Sequence, residues 1–171
     1  MKEIGKQSGG INFTEKVSEQ KPLKGVLSFK VFRHVNGEKH LIEEFENRNI
    51  IVNTARNQMA RLVAGDFNDR HITKIGFGTN NAAATVDDED LTDAFVKTLD
   101  GYEFPAMGQV QFNWNLGTSE ANGKKIIEFG LFCEDDVLFA RRRREKTNGD
   151  PADPIPKEND ISLEGTWTII F

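Results

Sequence analysis

The stretch Gln109–Leu116, QVQFNWNL, sets Val110, Phe112, Trp114 and Leu116 against Gln109, Gln111, Asn113 and Asn115. A strict period of two puts one set on each face of an extended strand. One face must then be core and the other solvent or interface, the signature of an antiparallel sheet wet on one side. The last residues repeat the pattern. Ile161, Leu163, Gly165, Trp167, Ile169 and Phe171 fall on the core side, opposite Ser162, Glu164, Thr166 and Thr168. Two such strands dictate a β-rich fold for the rest of the chain to complete.

The stretch Glu120–Ala140 supplies a hairpin for the centre. Asn122-Gly123 opens it and Glu134-Asp135-Asp136 reverses it. Ile127, Phe129, Leu131 and Cys133 alternate onto one face, as in a half-buried strand, and Val137, Leu138 and Phe139 begin the return. A second hairpin is expected over Leu23–Asn49. Leu27, Phe29 and Val31 alternate with Ser28, Lys30 and Phe32. Asn36-Gly37 is a strong two-residue turn, and Leu41, Glu43 and Phe45 alternate with His40, Ile42 and Glu44 on the return. His71–Gly78 reads as a short strand with Ile75 and Phe77 inward, and Ala94–Tyr102 as one more.

One helix is predicted, near residues 53–64. Asn53 or Thr54 can cap it, Ala55, Met59, Leu62 and Val63 form an apolar stripe, and Gly65 suits its end. Arg56 and Arg61 belong to its solvated side. So short a helix persists only by packing, here against the sheet. The 171 residues fit one domain. Residues 1–21 are polar and read as a flexible arm, in which Ile11 and Phe13 alternate in a way that suits adding a strand to a neighbour. Residues 146–160, with three prolines, read as a turn-rich loop. The expected fold is therefore mainly β: an antiparallel β-sandwich over residues 22–171 with one short helix packed against it.

Chemistry is harder to find. A single cysteine, Cys133, excludes an intrachain disulfide and suits a reducing compartment. No secretory leader is apparent, and no apolar run approaches the roughly 18–20 residues that span a bilayer. Net charge is −5, which disfavours nucleic acid as a partner. His34 and His40 flank a turn, where they face each other in a hairpin, but zinc wants three or four ligands and no third is evident. Asp66–Asp69 lacks the glycine and glutamate of a calcium loop. Gly76-Phe77-Gly78 lacks the third glycine and the helix of a dinucleotide site, and suits a bulge or close backbone contact. Asp87–Asp90 reads as a solvated helical turn rather than a catalytic pair, since nothing there separates carboxyl pKa values. No catalytic residue, metal or cofactor is expected.

The most conspicuous charge feature is Arg141, Arg142, Arg143 and Arg144. On a strand these point alternately to opposite faces, so they make no single phosphate-binding stripe. Ion pairing with the acidic loop or an adjacent subunit, or a guard on an edge strand, fits better, and the run is a candidate interface. Tyr102, Phe104 and Phe67 lie on loops, where exposed aromatics would be the candidates for contacting a glycan.

Five segments together resemble a family of small structural proteins of tailed bacteriophages and prophages. They are IIVNTARNQMARLVAGD (residues 50–66), ITKIGFGTN (72–80), EANGKKIIEFGLF (120–132), LFAR (138–141) and ISLEGTWTIIF (161–171). Their order and spacing carry the likeness. The arginine run past LFAR and the long Pro-rich insert depart from it. The resemblance implies a β-sandwich virion protein of tail, fibre, collar or baseplate type that assembles into oligomers, without enzyme activity or cofactor. It implies other virion proteins as partners, and a location in the virion after synthesis and assembly in the bacterial host cytoplasm. A module binding glycans of the bacterial surface is the alternative. A peptidoglycan hydrolase would need a convergent acid pair or a zinc site, which no residues here suggest.

Overall fold

The computed structural model describes residues 23–171, and the expected N-terminal arm lies outside the described residues. The fold is mainly β, with eleven strands and one helix among the described residues. Asn36 and Gly37 both take positive φ, 51° and 83°, as a two-residue hairpin turn demands. They join β1 (Lys24–Val35) to β2 (Glu38–Ile51), which pair from Gly25↔Asn49 to Val35↔Glu38. The register places His34 opposite Lys39 and His40 opposite Arg33, so the two histidines do not face each other.

The helix α1 (Asn53–Val63) follows, then β3 (Ile72–Gly78), β4 (Phe95–Thr98), β5 (Gly101–Glu103) and β6 (Gln109–Leu116). The central hairpin is β8 (Glu128–Cys133) and β9 (Leu138–Arg143), and β11 (Ile161–Ile170) ends the sheet. Nine strands form one curled antiparallel sheet in the order β4-β3-β8-β9-β2-β1-β11-β6-β5. Two corners fold it over itself. At one, β2 leaves β1 and spends only Ile50 and Ile51 on β9. At the other, the chain crosses from β4 to β5 through Leu99 and Asp100. Leu99 N–H donates to Thr73 O on one half (2.9 Å) and Asp100 N–H to Asn113 O on the other (2.9 Å). The strand expected over Ala94–Tyr102 is thus two strands, because the chain changes sheet halves in its middle.

Between the halves lies an aromatic core. Phe29 and Trp114 from one half meet Phe129 and Phe77 from the other, with centroids 4.8 Å apart for Phe29–Phe129 and 5.4 Å for Phe77–Trp114. Phe45 stacks on Phe29 at 4.9 Å. These sandwich-like layers match the expected class.

Several expectations need correction. The β8 strand is buried on both faces rather than one. Its outward face is covered by the loop of residues 79–93, whose Leu91 sits over Gly76, Gly130 and Phe132. Asp87–Asp90 forms no helical turn; it belongs to this covering loop. In α1 the N-cap is Val52, with no side-chain cap. Thr54 instead donates to Leu138 O (2.7 Å) and ties the helix to β9. Val63 is 91% exposed, and Gln58 takes the buried place beside Ala55. Phe171, expected in the core, lies past the last ladder pair and is exposed. Residues 146–160 are not all loop: Ile155–Pro156 (β10) pairs with Lys125–Ile126 (β7).

Candidate functional site

Arg141, Arg142 and Arg143 end β9, a central strand flanked by β8 and β2 rather than an edge strand, and Arg144 follows it. Arg141 is almost fully buried. Its Nε donates to Glu128 Oε2 (2.7 Å), its Nη1 to Asp88 Oδ2 (2.7 Å), and its guanidinium also reaches Ala82 O and Ala83 O. Burial works against the Arg141 charge, but the Asp88 and Glu128 carboxylates more than restore it and raise its pKa. Burial likewise pushes the Asp88 carboxyl up. The Thr85 N–H and Arg141 outweigh that and hold it below the usual range. Glu128 also accepts from Asn80 N–H (3.1 Å) and Thr92 N–H (2.8 Å). The acidic loop is therefore the partner of Arg141, as one reading of the sequence anticipated.

The other three are engaged within the chain as well. Arg142 and Arg143 pair with Glu145 at 2.6 and 2.8 Å, and Arg143 also donates to Asn81 O and Gly149 O. Arg144 pairs with Glu43 of β2 and donates to Asp153 O. All four guanidinium groups are thus engaged within the chain, Arg141, Arg143 and Arg144 buried and Arg142 partly so.

The aromatics expected on loops lie elsewhere. Tyr102 sits within β5 opposite Phe112 rather than on a loop, and Phe104 follows the strand; both are exposed, at the end of the sandwich nearest α1, and in edge-to-face contact at 5.7 Å. With Met59, Leu62, Phe112 and Phe171 they wall an open groove of about 510 Å³ between α1 and the β5–β6 edge. Arg70 and His71 are its polar lining, and Arg70 is spent on Asp135. The groove therefore offers apolar contact and little for acid–base work. Phe67 is also exposed, on the loop after α1, and does not line this groove. The structure brings Tyr102 and Phe104 together and leaves Phe67 apart. Nothing in the spacing marked Phe171 or Met59 as their neighbours; only the return of β11 to the β1 start places them there.

A third feature is backbone rather than side chain. From Glu38 to Asn49, β2 is paired to β1 alone among the described residues. Ile42 is the extra residue of a bulge there, between the pairs Val31↔Glu43 and Phe32↔Leu41, and Leu41 and Ile42 are half exposed.

Among the described residues no three His, Cys, Asp or Glu side chains converge as a metal site requires, and no helix is long and apolar enough to cross a membrane. No family model matches the chain, and no curated protein or solved structure matches it.

Proposed function

We propose that the chain is a non-enzymatic structural subunit of a tailed phage or prophage particle, a tail-, fibre- or baseplate-associated module that assembles with copies of itself and with other virion proteins. The observation that carries this reading is the open edge of β2. A long strand hydrogen-bonded on one side only, with Leu41 and Ile42 exposed on it, is a template for adding a strand from another subunit. Glu43, Glu44 and Glu46 crowd its middle, which disfavours a second β2 in antiparallel register and favours a different segment of a neighbouring copy. The resemblance of the five segments to phage structural proteins supports the particle class and, with it, a location in the virion.

Light scattering on the purified chain tests assembly. The reading expects an oligomer, which Leu41→Lys combined with Ile42→Lys dissociates without loss of β-sheet signal. A monodisperse monomer at concentrations on the order of tens of micromolar sinks it. Tail or fibre genes beside its own gene support the particle class.

A glycan-binding module is the second reading, favoured by the exposed Tyr102–Phe104 pair. Titration with bacterial surface polysaccharide tests it: binding lost in both Tyr102→Ala and Phe104→Ala supports it, and no binding removes it.

A further inference from the structure

We infer that the apolar groove between α1 and the β5–β6 edge is the docking site of the chain's own N-terminal segment, Ile11–Val17. The groove presents Met59, Leu62, Val110, Phe112, Phe104 and Phe171, an apolar surface continuous with exposed Tyr102 and Val63. Such a patch on a small domain calls for something to cover it.

Position selects the occupant. Lys24 pairs with Ile170, the residue before Phe171, so the 22 residues preceding Leu23 join the fold beside one groove wall. Phe171 N–H donates to Gly108 O (2.9 Å), which fixes that wall against the β5–β6 connection. From Leu23 back to Val17 an extended chain spans about 20 Å at roughly 3.4 Å per residue, a reach that starts beside the groove wall. Ile11, Phe13 and Val17 are spaced through the segment that arrives there.

Tethering then decides between copies. A segment tethered a few residues from its site has an effective concentration on the order of millimolar, far above that of a second chain in dilute solution. The inference is independent of the assembly reading, which rests on the β2 edge at another part of the fold.

Two measurements on the full chain test it. Binding of 8-anilinonaphthalene-1-sulfonate is expected to rise severalfold in Phe13→Asp, and to the same level when residues 1–21 are removed. Unchanged dye fluorescence in both overturns the inference. Cysteine pairs identify the occupant: with Phe104→Cys, Phe13→Cys is expected to oxidise to a disulfide-linked monomer much faster than Ser8→Cys does. Equal rates mean mere tethering, a disulfide-linked dimer means that a second copy occupies the groove, and no disulfide means an empty groove; each overturns it. Cys133 does not compete, being fully buried.

Discussion

Arg141 and Glu128 meet diagonally across adjacent strands, Nε to Oε2 at 2.7 Å, with side chains 2% and 0% exposed. Glu128 also accepts two N–H groups from the loop of residues 79–93, and Arg141 donates to two carbonyls of the same loop. One buried pair thus pins the loop that covers the outer face of β8.

Breaking this pair from one side is expected to be costly. Arg141→Met leaves Glu128 buried with no cation, and about 3–5 kcal/mol of stability should be lost. Glu128→Gln leaves Arg141 with Asp88 and should cost less. The double variant should fall well short of the sum, because the two residues act as a unit. Urea unfolding of the four proteins measures the coupling; additive losses would show that the pair does not hold the loop.

Cys133 should be inert in the native protein. Burial, helped by the nearby Asp135 carboxylate and opposed by Arg70, pushes its thiol up to about 12. Almost no thiolate then exists near neutral pH, and the thiolate is the reacting form. A disulfide reagent at mildly alkaline pH should label Cys133 only as fast as the chain unfolds, with the rate rising on adding denaturant. Rapid labelling without denaturant would contradict its burial.

How far these features could be read ahead depends on their range along the chain. Asn36-Gly37 and the alternation of Gln109–Leu116 are local, so the turn and the strand were legible. The Arg141 environment was legible only in kind. Ion pairing with the acidic loop follows from charge, but burial depends on Leu91 and residues 79–93 folding over β8. The break at Leu99 was hidden because each half of Ala94–Tyr102 keeps strand character while pairing with a different partner. Val63 and Gln58 trade the places that periodicity assigns them because Gln58 donates to Asp135 at 2.8 and 2.9 Å, and a tertiary polar contact overrides the stripe. The groove was out of reach altogether. Phe104 was marked as an exposed loop aromatic, but Phe171, far from it in sequence, looked like a core position.

Gly165 marks a close approach of backbone to backbone in the β1–β11–β6 layer. A Cβ there would lie 2.4 Å from Ser28 O and 2.7 Å from both Phe29 Cβ and a ring carbon of Trp114. The obstruction includes backbone, which cannot rotate away. Gly165→Ala should therefore cost about 1–3 kcal/mol or more through forced repacking. Gly101→Ala, where nothing lies within 4 Å, is the control and should stay within about 0.5 kcal/mol of the parent. Equal unfolding midpoints for the two variants would mean that the layer can relax around Gly165.

Asp135 should make the fold acid-sensitive. Burial raises its carboxyl pKa, but Gln58, the Val137 N–H and Arg70 together outweigh burial and hold it below the ordinary 3.8. A carboxyl whose folded pKa is depressed contributes stability above its unfolded pKa and loses it as pH falls through the folded value. Asp135→Asn should therefore lower stability near neutral pH and flatten the loss seen below pH 3.8. Matching acid-unfolding curves for the two proteins would remove Asp135 from the account.

Lys157 should act with the opposite dependence. It is fully buried, and its ammonium donates to Asn122 Oδ1 (2.8 Å), Glu158 O (3.0 Å) and Thr118 O (3.3 Å), joining the 117–124 turns to β10. Burial lowers its pKa from 10.5, partly offset by Glu120, Glu158 and Asp160. The unfolded chain therefore holds this proton more tightly than the folded one. Wherever the unfolded state binds more protons, stability rises with pH, so this group's penalty should fade between its folded pKa and 10.5. Lys157→Met removes both the penalty and three hydrogen bonds, leaving Thr118 O, Glu158 O and Asn122 without their donor. The variant should be less stable at neutral pH. The stability gap between parent and variant should widen, not close, as pH climbs toward 10.5. Unfolding free energies at matched alkaline pH values measure that gap, and a gap that narrows would show that Lys157 keeps its proton more tightly folded than unfolded.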